Sequence, residues 1–155
     1  MNEKLKCTIS RIHGSNVKAV LCVSGVGSKA ITWLLEIPGA SNTILEGIIP
    51  YSQHSLIDFM GKTPSNFVSE KTSQEMARES YKRAVKLRED NFEVIGIACT
   101  GAINTNRERR GANHAYISIC SQNSISSTHI ELKKGLRTRV EEETIISHAI
   151  LDSIS

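Results

Sequence analysis

Ser24, Ser28 and Lys29 are the residues of this chain whose types and spacing could do chemistry. They lie in Val23-Ser24-Gly25-Val26-Gly27-Ser28-Lys29, a glycine-punctuated loop between an apolar run over residues 17–23 and a helix-compatible segment from Ala30. A buried strand ending in such a turn presents unpaired backbone N–H groups and the positive end of a helix dipole. That setting suits a phosphate, a carboxylate or the oxyanion of an acyl transfer. A serine hydroxyl there becomes a nucleophile when a base stands within hydrogen-bond reach, and a lysine whose pKa is lowered can be that base. Lys29 is the local candidate. Turn packing or helix capping accounts for Ser24 as well, and plain solvation accounts for Lys29.

A second loop of the same kind, Cys99-Thr100-Gly101-Ala102, follows the apolar run 92–98. If the two runs are neighbouring strands, Ser24 and Thr100 converge on one crevice at the carboxyl end of a sheet, where open α/β folds bind their ligands. Arg107, Arg109 and Arg110 with His114 read either as an anion clamp, since guanidinium forks match phosphate oxygens, or as a solvated charge run. Among the five histidines no pair has the HxxxH spacing, and the four cysteines show no CxxC, so neither a metal site nor a cofactor is expected.

The elements that must position these groups follow from periodicity and breakers. Residues 5–12 read as a short helix ending near Gly14. A strand over 17–23 leads into a helix over 28–36, stopped by Ile37-Pro38-Gly39. Residues 42–49 form a strand entering Pro50-Tyr51-Ser52, and Ser52 caps a helix over 54–60 with Gly61 beyond. Ser69 caps a helix to about residue 87, with Met76, Ala77, Tyr81, Ala84 and Val85 on one face. After the strand 92–98, residues 115–120 and 127–132 read as strands that a short turn allows to pair antiparallel. Residues 137–154 close the chain as an amphipathic helix, with Val140, Thr144, Ile145, His148 and Leu151 inward and Glu141, Glu142 and Glu143 in water. The fold expected is α/β: one domain over residues 1–155, an α/β/α sandwich with a mostly parallel central sheet and an antiparallel pair near the C-terminal half.

Composition narrows the function classes. The 155 residues are 39% hydrophobic with a formal net charge of +3 and only 5% aromatics, which gives little stacking surface and argues against a nucleic-acid module. No apolar run approaches the ~20 residues of a membrane span, and residues 1–6 lack a signal-peptide core, so no membrane partner is expected. Cys22, Cys99 and Cys120 fall in strand-like runs, where a reduced thiol behaves as a small hydrophobe; a cytoplasmic protein is the expectation.

Over nearly its whole length the chain resembles the CinA carboxy-terminal domain family, which includes nicotinamide-nucleotide amidohydrolases. The resemblance rests on an ordered set: Val23-Ser24-Gly25-Val26-Gly27-Ser28, then Ile37-Pro38-Gly39-Ala40-Ser41, Gly47-Ile48-Ile49-Pro50-Tyr51-Ser52, Val68-Ser69-Glu70 and Gly135-Leu136-Arg137. It implies an α/β/α sandwich that hydrolyses the amide of nicotinamide mononucleotide (NMN) to nicotinic acid mononucleotide and ammonia. By the same resemblance Ser24 is the nucleophile, Tyr51 a site residue, the segment Gly25, Gly27 and Ser28 the substrate loop, and Arg137 the site arginine; Thr100, Gly101 and Arg110 join the candidate substrate-binding set, and a homo-oligomer is expected. The departures are as informative. Leu56 stands where the family has its catalytic lysine, Val23 where it has an acid before the serine, and Cys99-Thr100-Gly101-Ala102-Ile103 replaces a Gly-x-x-Gly-Pro loop. Arg107 to Gly111 is an added element. The departures leave two functions open: an amidohydrolase whose base is Lys29 or His54, and a CinA-like nucleotide-binding or interaction domain that has lost hydrolysis.

Overall fold

A computed structural model describes all residues, Met1 to Ser155. A five-stranded sheet forms its centre, in the spatial order β2-β1-β3-β4-β5. The strands are β1 (Val17–Ser24), β2 (Ile44–Ile48), β3 (Glu93–Ala102), β4 (Asn113–Cys120) and β5 (Ile125–Leu132). β1 pairs in parallel with both β2 and β3, while β3–β4 and β4–β5 are antiparallel. The expected sandwich is therefore present, with its antiparallel pair where the turn at residues 121–124 allows it. β3 extends through Cys99–Ala102, residues that read as a loop in sequence; the pairing of Thr100, Gly101 and Ala102 with β4 keeps them extended.

Five helices cover the two faces: α1 (Glu3–Gly14), α2 (Ser28–Glu36), α3 (Gln53–Met60), α4 (Glu70–Leu87) and α5 (Arg139–Ile154). The period-2 alternation of β1 divides the core between them. Ala19, Leu21 and Val23 pack with Leu5, Ile9, Leu34, Ile146 and Ile150 of α1, α2 and α5. On the opposite face Cys22 packs with Leu56, Met60, Met76 and Ala77 of α3 and α4, and Val20 with Ala84. α4 rests directly on β3 through Gly96, where a Cβ would lie 2.2 Å from the Tyr81 nitrogen and 2.3 Å from the Ala77 oxygen. Burial pushes the Cys22 thiol up to about 12 and raises that of Cys99 as well, so both are inert apolar filling.

Two helix faces differ from their sequence reading. On α4 the buried positions are Thr72, Ser73, Met76, Ala77, Ser80 and Ala84, and Val85 is exposed. The polar members are satisfied locally and across the sheet: Ser73 Oγ lies 2.6 Å from Ser118 Oγ, and Ser80 Oγ donates to the Met76 carbonyl at 2.8 Å. On α5 the buried residues are Glu142, Ile146, Ser147, Ile150 and Leu151, whereas Val140 is 64% exposed. Glu142, expected in water, is fully buried. Its carboxylate accepts the Asn104 N–H at 2.7 Å and the Asn113 side-chain amide at 3.2 Å, which supply the partners a buried charge requires.

Candidate functional site

The chain path dictates where a site can form. From β1 it crosses through α2 on one face to β2 at one edge, then returns through α3 and α4 on the other face to β3. The strand order reverses between β1 and β3, so the connections leave their carboxyl ends toward opposite faces, the place where open α/β sheets form a crevice beyond the strands. Ser24, the last residue of β1, is in register with Thr100 of β3. Both line a cleft of about 340 Å³ with Gly25, Gly101, Tyr51, Leu56 and Phe67, a volume suited to a small ligand. The convergence of Ser24 and Thr100 depends on that strand neighbourhood, and β1 and β3 have it.

The two glycine loops interlock. Gly25 has φ +85°, and a Cβ there would lie 2.0 Å from the Gly101 carbonyl oxygen. A Cβ on Gly101 would lie 2.5 Å from Val26 Cγ1 and 2.9 Å from Ala115 Cβ. Glycine is thus required at both positions for close backbone approach.

Ser24 is buried, and its hydroxyl donates to the Pro50 carbonyl at 3.0 Å. No lysine or histidine nitrogen bonds to it. Lys29, five residues away in sequence, lies across the sheet end on the α5 side, where its Nζ donates to Thr144 Oγ1 at 2.8 Å. His54 is exposed on α3 and is not part of the cleft lining, and Leu56 is 2% exposed within the α3–α4 core cluster. Thr100 Oγ1 donates to the Phe67 carbonyl at 2.7 Å, tying β3 to the segment before α4. Tyr51 is 69% exposed at the cleft rim.

The amino end of α2, expected to receive an anion, receives one from the chain itself. Glu143 of α5 accepts the Gly27 N–H at 2.7 Å and the Lys29 N–H at 3.3 Å, and the Ser147 hydroxyl donates to the same carboxylate. Gly27, with φ +110°, offers no side-chain cap, so the carboxylate supplies the missing acceptor and complements the helix dipole. Glu143 is therefore a fixed cap rather than a solvated charge. Ser28, the first residue of α2, faces solvent.

The cations at the cleft come from two places. Arg107 and Arg109 belong to the loop after β3, and Arg139 is the first residue of α5. No acidic residue lines the cleft. Arg109 donates to the carbonyls of Ile103 and Ala112, each at 3.4 Å, and to the Asn113 side chain, so part of its guanidinium holds the loop in shape. Arg139 donates to the Asn104 carbonyl at 3.0 Å and to the Gly25 carbonyl at 3.5 Å, bridging the loop after β3 and the loop after β1. Arg137 lies outside the cleft lining, in the turn before α5, and its backbone carbonyl accepts the Asn104 amide at 3.0 Å. Arg110 lines a different depression, beside Glu131 and Lys133.

Sequence reasoning missed Arg139, Glu143 and the Glu142–Asn104–Asn113 lock. One signal was available. Thr138-Arg139-Val140-Glu141 is a capping box, with the Glu141 N–H donating to Thr138 Oγ1 at 3.2 Å and the Thr138 N–H to the Glu141 carboxylate at 2.9 Å. These bonds hold the Glu141 carboxyl below its ordinary range. Recognising the box starts α5 at Arg139 and puts that residue at the sheet end.

This arrangement defines a class: an α/β/α domain with a parallel three-stranded core and a cationic cleft at its switch point. The chain shares its fold with the CinA-like proteins and is similar in sequence to a competence-damage inducible protein. It is 30% identical over 112 residues to a "Putative competence-damage inducible protein" of Alkaliphilus oremlandii, covering 69% of this chain and 26% of that protein. It thus spans about a quarter of the length of that curated relative. Its fold matches the competence/damage inducible protein CihA of Agrobacterium tumefaciens with a TM-score of 0.76 at 19% identity, covering 99% of this chain and 95% of the other. A CinA superfamily protein of Klebsiella pneumoniae 700603 matches with a TM-score of 0.79 at 12% identity, covering 97% and 93%. No family model matches the chain. No helix is long and apolar enough to cross a membrane.

Proposed function

We propose that the cleft between β1 and β3 binds a small phosphorylated ligand of mononucleotide size, NMN being the representative, and that it does so without serine-initiated hydrolysis. The observation that supports this reading is the charge of the lining: Arg107, Arg109 and Arg139 with no carboxylate among them. Guanidinium groups in a one-signed cleft bind phosphate by charge-assisted hydrogen bonds. The Ser24 hydroxyl, which donates to Pro50, has no basic nitrogen to accept its proton, so its nucleophilicity has no source.

A second reading is deamidation of NMN with Ser24 as nucleophile. It is supported by Ser24 and Tyr51 lining one cleft, as the CinA resemblance anticipates. Attack on the amide carbon needs a base that takes the serine proton, and Leu56 occupies the position from which the family supplies it.

Calorimetric titration of the full chain with NMN, other mononucleotides and inorganic phosphate tests the binding reading. Saturable mononucleotide binding that weakens about tenfold in Arg107→Ala and Arg139→Ala, one lost charge-assisted contact each, is the expected result. Flat titrations with all three ligand types leave only an interaction domain.

A further inference from the structure

The register row that begins at the cleft continues across the sheet. Ser24 pairs with Thr100, Thr100 with Tyr116, and Tyr116 with His129 on the edge strand β5. All four are on the α3–α4 side of the sheet, and the next row brings His114 of β4 opposite Glu131 of β5. The two histidines, fifteen residues apart in sequence, are diagonal neighbours. His114 Nδ1 lies 2.9 Å from His129 Nε2. Tyr116 fixes both rings: it stacks on His129 with centroids 4.2 Å apart at 7°, and meets His114 edge to face at 5.4 Å.

Two imidazole nitrogens 2.9 Å apart share one proton, one ring donating to the other's lone pair. Nothing about burial demands this pairing, because His129 is exposed and His114 only half-buried, so water could satisfy each ring. A metal ion in place of this proton takes both nitrogens as ligands once the donor ring's proton has moved through solvent to its other ring nitrogen, so that both rings coordinate as neutral imidazoles. Two nitrogens bound tetrahedrally at about 2.0–2.1 Å lie roughly 3.3 Å apart, a small opening from the observed pair. We propose that His114 and His129 form a two-imidazole site for a divalent transition ion of borderline softness, of the Cu²⁺, Zn²⁺ or Ni²⁺ class, with water completing the coordination.

No third histidine, cysteine or carboxylate joins them as a ligand. The fixed charges facing His114 are Glu131, which favours a cation, and Arg109, which opposes one. The edge position makes the site accessible, while the Tyr116 stack removes the rotamer freedom that binding would otherwise cost. This site is separate from the arginine cleft and does not depend on what that cleft binds.

The test is calorimetric titration of the untagged full chain with Zn²⁺ alone, beside His114→Ala, His129→Gln and the double variant, each first shown to keep the parent's denaturation midpoint to within a small shift. One ion per chain is expected, with affinity at least about tenfold weaker in either single variant. Tyr116→Phe, which keeps the stacked ring, should bind like the parent. Substituting Co²⁺ for Zn²⁺ should give visible absorption bands that depend on both histidines. Equal Zn²⁺ affinity in parent and double variant overturns the proposal.

Discussion

On the proposed binding reading, Ser24 is a strut rather than a nucleophile. Its hydroxyl satisfies the carbonyl of buried Pro50 and ties β1 to the segment that follows β2. Ser24→Ala strands that carbonyl, at a cost of about 1–3 kcal/mol. Chemical denaturation should report that loss while mononucleotide binding persists; a variant as stable as the parent would show that the bond contributes nothing. Gly25→Ala is the harsher change, since its Cβ would overlap the Gly101 carbonyl and its φ is +85°. The positive φ alone costs about 1–3 kcal/mol, and the overlap adds to it. A drop of at least that size in unfolding free energy is expected, with loss of the cleft's ligand binding. Sequence made Ser24 conspicuous because hydroxyl, glycines and helix start were contiguous. Nothing local revealed that its partner would be a carbonyl twenty-six residues away.

At the scale of elements, α5 organises the sheet end. Glu143 caps α2, Glu142 holds the loop after β3, and Arg139 bridges that loop to the loop after β1. Glu143→Ala leaves the Gly27 and Lys29 N–H groups without their acceptor and should destabilise the fold by about 0.5–2 kcal/mol, the cost of a lost helix cap. Denaturant titration measures it, and an unchanged midpoint would mean water caps α2 as well as the carboxylate does. Helix and strand positions were largely legible because their apolar periodicity and caps are local: residues 28–36 and the Ser52 and Ser69 caps stand as the pattern implied. The inward face of α5 was not legible. Three consecutive glutamates look solvated until the loop amides that bind Glu142 arrive from another part of the chain. Lys29 illustrates the same limit: its spacing from Ser24 suits a shared site, yet the sheet end separates them.

For the whole molecule, proton balance gives a further check. Burial, and then the neighbouring His129, hold the His114 imidazole below its ordinary value of 6.5, with Arg109 acting the same way and Glu131 opposing. The unfolded chain then binds a proton at His114 that the folded chain refuses. Its contribution to stability is present above the ordinary value and is lost as pH falls below it. Stability should therefore decline on the acid side of pH 6.5, more steeply in the parent than in His114→Gln. Parallel curves for the two would place the acid sensitivity elsewhere.

On the proposed function, a CinA-like scaffold keeps an anion-binding cleft without an activated serine. Proton NMR of NMN incubated with the full chain reports both halves of it in one sample. Broadening of the nicotinamide resonances is expected, diminished in Arg107→Ala and Arg139→Ala, with no nicotinic acid mononucleotide appearing over the incubation. Conversion of NMN to nicotinic acid mononucleotide by the parent, abolished in Ser24→Ala, would contradict it.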